Sequence, residues 1–307
     1  MGWVGILNGP SGLDRELHVA VLDEALTLAD GRRLRYRVRG DRDALPILYF
    51  HGQPGSRLEA ELFSEAALAA AGVRVIAFDR PGMGGSDVRS ARDMVEDLPD
   101  VIALLDHLGV DRVAIIGVSA GGPWAFAFAA MYPARATRLV PSSASGPYDD
   151  PAFMHPEDIE EQADLRDRGA EAMLVDYEAA RSRILADVDA EMARWFGGFP
   201  GDEGAWATSG PGRALLADDI REALRQGARG WLRETEVRAR PWSFDPGAIR
   251  CPVRAFHGEL DSLETLANLQ RVLALIPDAR VTVFEGGDHL APLLSPERLL
   301  AAAVADD

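Results

Sequence analysis

The sequence predicts an α/β fold: a mostly parallel central sheet with helices on both faces and a helical segment inserted into it. Three observations predict it. Short Val/Ile/Leu-rich runs alternate with helix-length amphipathic stretches, and near-continuous apolar runs belong to parallel strands buried on both faces. The alternation stops at Gly146-Pro147-Tyr148-Asp149-Asp150-Pro151, gives way to acidic, Arg-rich helical stretches, and resumes near residue 252. With 47% hydrophobic and 26% charged residues in 307, the composition is that of an ordinary globular chain. A chain of this mass removes about three quarters of its unfolded surface from water, so a core forms without staples.

Taken in order, β-rich runs at 16–27 and 33–39 flank Ala29-Asp30-Gly31, a turn signal that predicts a hairpin. Strands at 46–50, 73–78, 112–116 and 137–141 follow, separated by helices at 58–71, 93–108 and 121–131. After the insertion, strands at 252–257 and 280–284 flank a helix at 263–276. The expected organisation is one core domain, residues 1–146 and 241–307, with a helical insertion at 147–240. No internal repeat is present.

Charge and residue usage exclude several chemistries. There are 32 basic side chains, all of them Arg, against 49 acidic ones, a formal net charge of −17. Without lysine there is no Schiff base, no phosphate-gripping lysine of a Walker loop and no lysine general base. The negative charge argues against nucleic acid or an anionic membrane as partner. Cys251 is the single cysteine and reads as a small buried hydrophobe, so neither a disulfide within the chain nor a Cys-based zinc site is expected. Residues 1–7 carry no basic leader, Gly2 is followed by Ile6 where a myristoylation signal has Ser or Thr, and no apolar stretch reaches membrane-spanning length. A cytoplasmic location is the expectation.

The chemistry is concentrated in Gly117-Val118-Ser119-Ala120-Gly121-Gly122, which follows a buried strand and opens an apolar helix. G-x-S-x-G at a strand-to-helix junction is a nucleophile elbow: a tight turn lifts the serine hydroxyl clear of the sheet, and the helix N-terminus favours negative charge there. The rival is a Gly-rich dinucleotide turn, but no G-x-G-x-x-G accompanies it. A serine nucleophile needs a base, and the base needs an orienter. Asp261, in His257-Gly258-Glu259-Leu260-Asp261, and His289, in Gly286-Gly287-Asp288-His289, both lie just past strands, on the sheet edge where ligands bind. Ser119, Asp261 and His289 stand in the Ser…Asp…His chain order of the elbow proteins.

Each assignment has rivals. His107, His18 and His155 lie outside the strand-end loops, while His51 and His257 precede glycines at strand ends, where a structural hydrogen bond is the plainer reading. Glu259, Asp288 and Asp149 are alternative orienters. The oxyanion formed at the carbonyl requires two N–H donors. Ala120 supplies one, and the loop Phe50-His51-Gly52-Gln53-Pro54-Gly55-Ser56 the other, from Gln53 because Pro54 has no N–H. Trp124 and His51 are the candidate substrate contacts, although Trp124, like Phe126 and Phe128 on the helix after the elbow, reads individually more as packing. The insertion aromatics Phe153, Tyr177, Trp195, Phe196, Phe199, Trp206 and Trp231 are mostly core of the insertion, with a few lining an apolar pocket.

These motifs together resemble the α/β-hydrolase superfamily from about residue 16 onward, apart from the insertion. His51-Gly52-Gln53-Pro54-Gly55 is similar to its HGxPG oxyanion loop, and Asp79-Arg80-Pro81-Gly82-Met83-Gly84-Gly85-Ser86 to its D-x-x-G-x-G-x-S turn. The resemblance implies that the insertion is a cap roofing the active site. Family members that open epoxides or displace halide carry aspartate at the elbow, so Ser119 argues against both reactions. The loop also resembles that of proline iminopeptidases, though Ala120 and Gly122 stand where those enzymes usually have Trp and Ser. Acidic residues such as Glu157, Asp158, Glu160 and Glu161 would then hold a substrate amine, or else form a solvated helix face. Hydroxynitrile lyases and cofactor-free oxygenases share the fold and triad.

The expected activity is cleavage of an ester, thioester or lactone of a fairly hydrophobic small molecule through an acyl-enzyme, with no metal or organic cofactor. The alternatives are an aminopeptidase and a non-catalytic ligand-binding member of the fold.

Overall fold

The computed structural model describes residues 21–305 apart from residue 91. The expectations for residues 1–20, namely the start of the first run at 16, His18 and the N-terminal segment, lie outside the described residues. The strands are β1 Leu22–Thr27, β2 Arg33–Arg39, β3 Leu45–Phe50, β4 Val73–Phe78, β5 Val113–Val118, β6 Ala136–Ser142, β7 Val253–Gly258 and β8 Ala279–Phe284. The helices are α1 Glu65–Ala71, α2 Leu98–His107, α3 Gly122–Met131, α4 Pro156–Arg168, α5 Ala170–Ala186, α6 Val188–Phe196, α7 Glu203–Thr208, α8 Gly212–Ala223, α9 Arg229–Arg238, α10 Leu266–Leu273 and α11 Pro296–Val304. None of the described helices is long and apolar enough to cross a membrane.

The strands form one sheet in the order β1-β2-β4-β3-β5-β6-β7-β8. The hairpin β1–β2 and the pair β2–β4 are antiparallel, and every other neighbour pair is parallel. Parallel strands all finish on one edge, so the loops after β3, β5, β6, β7 and β8 are gathered there. Side-chain alternation gives the central strands β3 and β5 two buried faces. Leu48, Phe50 and Ile115 face one core with Leu104 of α2, Phe126 of α3 and Leu269 of α10. Ile47, Tyr49, Ala114 and Ile116 face the other with Leu68 of α1 and Leu299 of α11. Ile184, Met192, Leu216 and Ile220, from the helices between β6 and β7, join this second core.

Most predicted elements are present with small boundary shifts. The stretch 58–71 divides into a 3₁₀ turn, Arg57–Leu62, and α1, because Ser64 takes an extended conformation and caps α1 by accepting from Ala67 N–H. The stretch 93–108 divides likewise: Asp93 caps a 3₁₀ turn at Met94–Asp97 and α2 follows, with Pro at its start. The last predicted helix shortens to α10, capped by Thr265. Between β6 and β7 the described chain contains six helices, α4–α9, and no strand.

A buried ion pair fastens these helices to the sheet. Arg80, after β4, is 1% exposed in its side chain and Glu234 on α9 is 0% exposed. Arg80 Nε donates to Glu234 Oε1 at 2.6 Å and Nη2 to Oε2 at 2.9 Å, a bidentate fork. The same guanidinium donates to the His51 and Gly52 carbonyls and lies 4.8 Å over the Trp124 ring. Glu234→Ala leaves the guanidinium buried without its counter-charge. Urea unfolding is expected to show a loss of about 3–5 kcal/mol, and a loss below about 1 kcal/mol would show that water or another group takes its place.

Candidate active site

β5 runs two residues further than its apolar run suggests and delivers Ser119 at its tip. Ser119 has φ +50°, in the left-handed region that a side chain occupies only under strain. The turn closes because its glycines have no Cβ. A Cβ on Gly121 would lie 2.3 Å from the Phe50 carbonyl oxygen and 2.5 Å from that of His51, and one on Gly117 2.6 Å from Ala125 Cβ. Ser119 opens a 3₁₀ turn, Ser119–Gly121, that leads directly into α3. The Ala120 N–H, at the start of that turn, has no partner within it.

The loops after β7 and β8 bring Asp261 and His289 together. His289 Nδ1 lies 3.0 and 2.9 Å from the two Asp261 carboxylate oxygens, which leaves Nε2 as the other ring nitrogen. The Asp261 side chain is fully buried and also accepts from the Leu263 and Glu264 N–H groups, at 3.0 and 2.8 Å. Burial works against ionising Asp261, but the neighbouring His289 and these hydrogen bonds outweigh it and hold the carboxyl below the usual range. Burial likewise disfavours imidazolium at His289, and the Asp261 charge overcomes it, raising the pKa above the ordinary 6.5. Ser119 Oγ makes no hydrogen bond among the described residues, although Ser119 and His289 line the same cavity. Such contacts commonly close only around substrate.

The rival assignments find structural roles. Asp288 Oδ1 accepts from the N–H and hydroxyl of Ser262 and from His289 N–H, each at 2.8 Å, tying the two loops together. Glu259 accepts from Gly286 N–H, and Asp149 pairs with Arg271. His257 is fully buried with Nε2 3.2 Å from Asp261 Oδ2 and 2.9 Å from the Glu264 carbonyl, and burial lowers its pKa. His107 is within 3.4 Å of the Tyr36 hydroxyl, and His155 caps α4.

Gln53, on the loop after β3, lines the cavity beside Ser119, and its side chain is held by the Trp231 carbonyl at 3.1 Å and by Arg238 at 2.5 Å. The two expected substrate contacts require correction. Trp124 is 1% exposed and packs in the core on the first face of the sheet, its Nε1 donating to Asp97 Oδ2 at 3.0 Å; its helix position turns it away from the cavity. His51 is 0% exposed. Its Nδ1 is 2.8 Å from the Gly52 carbonyl and its Nε2 accepts from Arg80 N–H at 3.2 Å, so it braces the loop from behind.

The cavity has a volume of about 480 Å³. Among the insertion aromatics, Trp195, Phe196 and Trp231 line it, with Ile184 and Leu216. Tyr177 packs against the Trp231 ring, at 4.7 Å between centroids. Sequence reasoning missed several residues that shape the site. Glu59, after the oxyanion loop, and Asp219 on α8 are buried carboxyls lining the cavity. Glu203 on α7 accepts from Asp288 and Leu290 N–H, at 2.7 and 2.9 Å, and fixes the loop bearing His289. Ser143, buried with φ +44°, donates to the His289 carbonyl at 2.7 Å. None of these contacts has a local sequence signature, and those of Asp219, Glu203 and Ser143 are long-range.

Residues 46–296 match a protein-family model described as alpha/beta hydrolase fold. An uncharacterized hydrolase of Bacillus subtilis, YcgS, is 36% identical over 115 residues, 38% of this chain and 39% of that protein, so the match spans well under half of that relative. A non-heme haloperoxidase of Rhodococcus erythropolis is 28% identical over 274 residues, covering 86% of this chain and 92% of that protein. Among solved structures, an esterase from Exiguobacterium antarcticum superposes with a TM-score of 0.68 at 18% identity, over 92% of this chain and 98% of that one, a likeness of fold alone.

The His289–Asp261 contact makes a direct prediction. Followed by NMR of labelled imidazole, His289 is expected to titrate above 6.5, and Asp261→Asn to bring its midpoint down, since burial is then opposed only by the weaker pull of Glu264 and Asp288. An unchanged midpoint in the variant would contradict the electrostatic assignment.

Proposed function

The chain belongs to the α/β-hydrolase family, and we propose that it is a serine hydrolase cleaving an ester, thioester or lactone of a fairly hydrophobic small molecule. One observation carries this reading: a strained Ser119 opens onto the same cavity as His289, whose far nitrogen is fixed by a buried carboxylate. In the proposed reaction His289 Nε2 takes the hydroxyl proton as Ser119 Oγ bonds the carbonyl carbon. The Gln53 and Ala120 N–H groups hold the resulting oxyanion. Collapse expels the leaving alcohol, thiol or lactone oxygen, which receives the proton from His289. Water, deprotonated by His289, then attacks the acyl-enzyme and releases the acid together with Ser119. Asp261 stabilises the imidazolium formed in both halves.

Residues 147–240 we read as a cap roofing this site, with Trp195, Phe196 and Trp231 as the apolar wall of an acyl pocket. The aminopeptidase alternative needs uncommitted acids to hold a substrate amine. Glu157 and Glu161 do line the cavity. However, Glu161 accepts from the Tyr177 hydroxyl, and the buried Arg238 guanidinium bears on both Glu161 and Asp158. That local positive charge disfavours a second cation.

Hydrolysis of p-nitrophenyl butyrate by the wild type and by Ser119→Ala tests the reading. Loss of at least about 10³-fold in the variant is expected, and equal turnover in both would remove Ser119 from the chemistry.

A further inference from the structure

Glu59 takes no part in the proton transfers above, yet its position is unusual for a structural carboxylate. It sits on the 3₁₀ turn Arg57–Leu62 that follows the oxyanion loop, is 7% exposed, and lines the catalytic cavity. Its Oε2 accepts from Gly52 N–H at 2.6 Å, one residue before the proposed oxyanion donor Gln53. Its Oε1 lies 3.2 Å from where a Gly52 Cβ would stand, and that point is 3.6 Å from Ser119 Cβ. The carboxyl is therefore beside the nucleophile as well as under the loop. The loop is gripped a second time from α8, where Asp219 Oδ1 accepts from the N–H and hydroxyl of Ser56, at 2.9 and 2.6 Å.

The geometry points to Glu59 as a positioning residue of the oxyanion hole: by holding Gly52 N–H it sets the direction of the Gln53 N–H toward the carbonyl under attack. This rests on the acyl-transfer reading of the site. The physical need is clear, because an oxyanion donor misplaced by about 1 Å can lose about a hundredfold in rate. Glycine at 52 leaves room for the carboxyl but provides no side chain to fix the loop, so the clamp has to come from elsewhere.

The charge on Glu59 adds a second, separable readout. The groups facing it are the Tyr49 hydroxyl from β3, Arg80 after β4, Asp219 from α8 and His289 after β8. Burial pushes its pKa up to about 7, against the opposing pull of the Gly52 hydrogen bond and Arg80. Burial, together with the neighbouring Glu59, also raises Asp219 well above its ordinary carboxylate value. An ionised Glu59 opposes the build-up of a second negative charge at the oxyanion, so kcat/KM is expected to fall as pH rises through its pKa. Deprotonation of His289 acts in the opposite sense, raising kcat/KM as pH increases.

The test uses p-nitrophenyl butyrate with wild type, Glu59→Ala and Glu59→Gln. Glu59→Ala is expected to lower kcat about tenfold to a hundredfold with KM changed by less than about threefold. Glu59→Gln keeps an oxygen for Gly52 N–H without a charge; it is expected to recover most of that kcat and to lose the fall in kcat/KM near neutral pH. Glu59→Ala within about twofold of wild type, or a falling limb that persists in Glu59→Gln, would overturn the inference. Should Glu59→Ala fail to fold, Glu59→Asp, one methylene shorter than the reach to Gly52 N–H, replaces it with the same expected loss of kcat. A wild type that turns over no ester defeats the acyl-transfer reading itself and this role with it, an outcome distinct from a failure confined to the Glu59 variants.

Discussion

The site depends on one steric constraint, the close approach of the turn after β5 to the turn after β3. At Gly121 the backbone of Phe50 and His51 comes so near that even a methyl group would collide with two carbonyl oxygens. That contact accompanies the tight turn at Ser119, where the serine backbone is left-handed. β3 and β5 are hydrogen-bonded neighbours, so the two proposed halves of the oxyanion hole lie at adjacent strand ends. Asp261 and His289 arrive from the other flank, on the loops after β7 and β8. A parallel sheet suits this division because every loop that carries chemistry emerges on one edge.

Electrostatics then join the inserted helices to that edge. Arg80 reaches Glu234, Arg233 reaches Asp97 at 2.6 Å, Arg238 reaches Glu264 at 2.9 Å and Arg57 reaches Glu222 at 2.6 Å. Each pair links a residue of α8 or α9 to the sheet-bearing part of the chain, and most of these side chains are nearly inaccessible to solvent. Burying such charges brings little net stability, but a pair placed this way penalises any other seating of the helices. Arginine suits the task because its fork satisfies several acceptors at once, as Arg80 does with Glu234 and two carbonyls of the oxyanion loop. The all-arginine usage of the chain thus has a structural counterpart at the site.

Much of the fold could be read from the sequence because it rests on local patterns. Strand alternation, the glycine spacing around Ser119 and the order of Ser119, Asp261 and His289 are properties of short segments or of chain order. Other features depend on geometry that no segment contains. Trp124 follows the elbow by five residues, and an apolar pocket seemed its natural place, yet the rotation of α3 carries it to the opposite core under Arg80. His51 stands at the mouth of the loop in sequence but behind it in space. Asp219, Glu203 and Ser143 meet their partners across long stretches of chain, whereas Glu59 reaches back only seven residues to Gly52; each reads locally as an ordinary turn or helix residue.

The account stands on Ser119 as an activated nucleophile. A fluorophosphonate probe, which transfers its phosphorus to a serine oxygen activated in this manner, tests that most directly when followed by intact-mass and peptide analysis. One adduct per chain, mapped to the peptide containing Ser119, is the predicted result. No adduct, or an adduct on another residue with Ser119 unmodified, would contradict it.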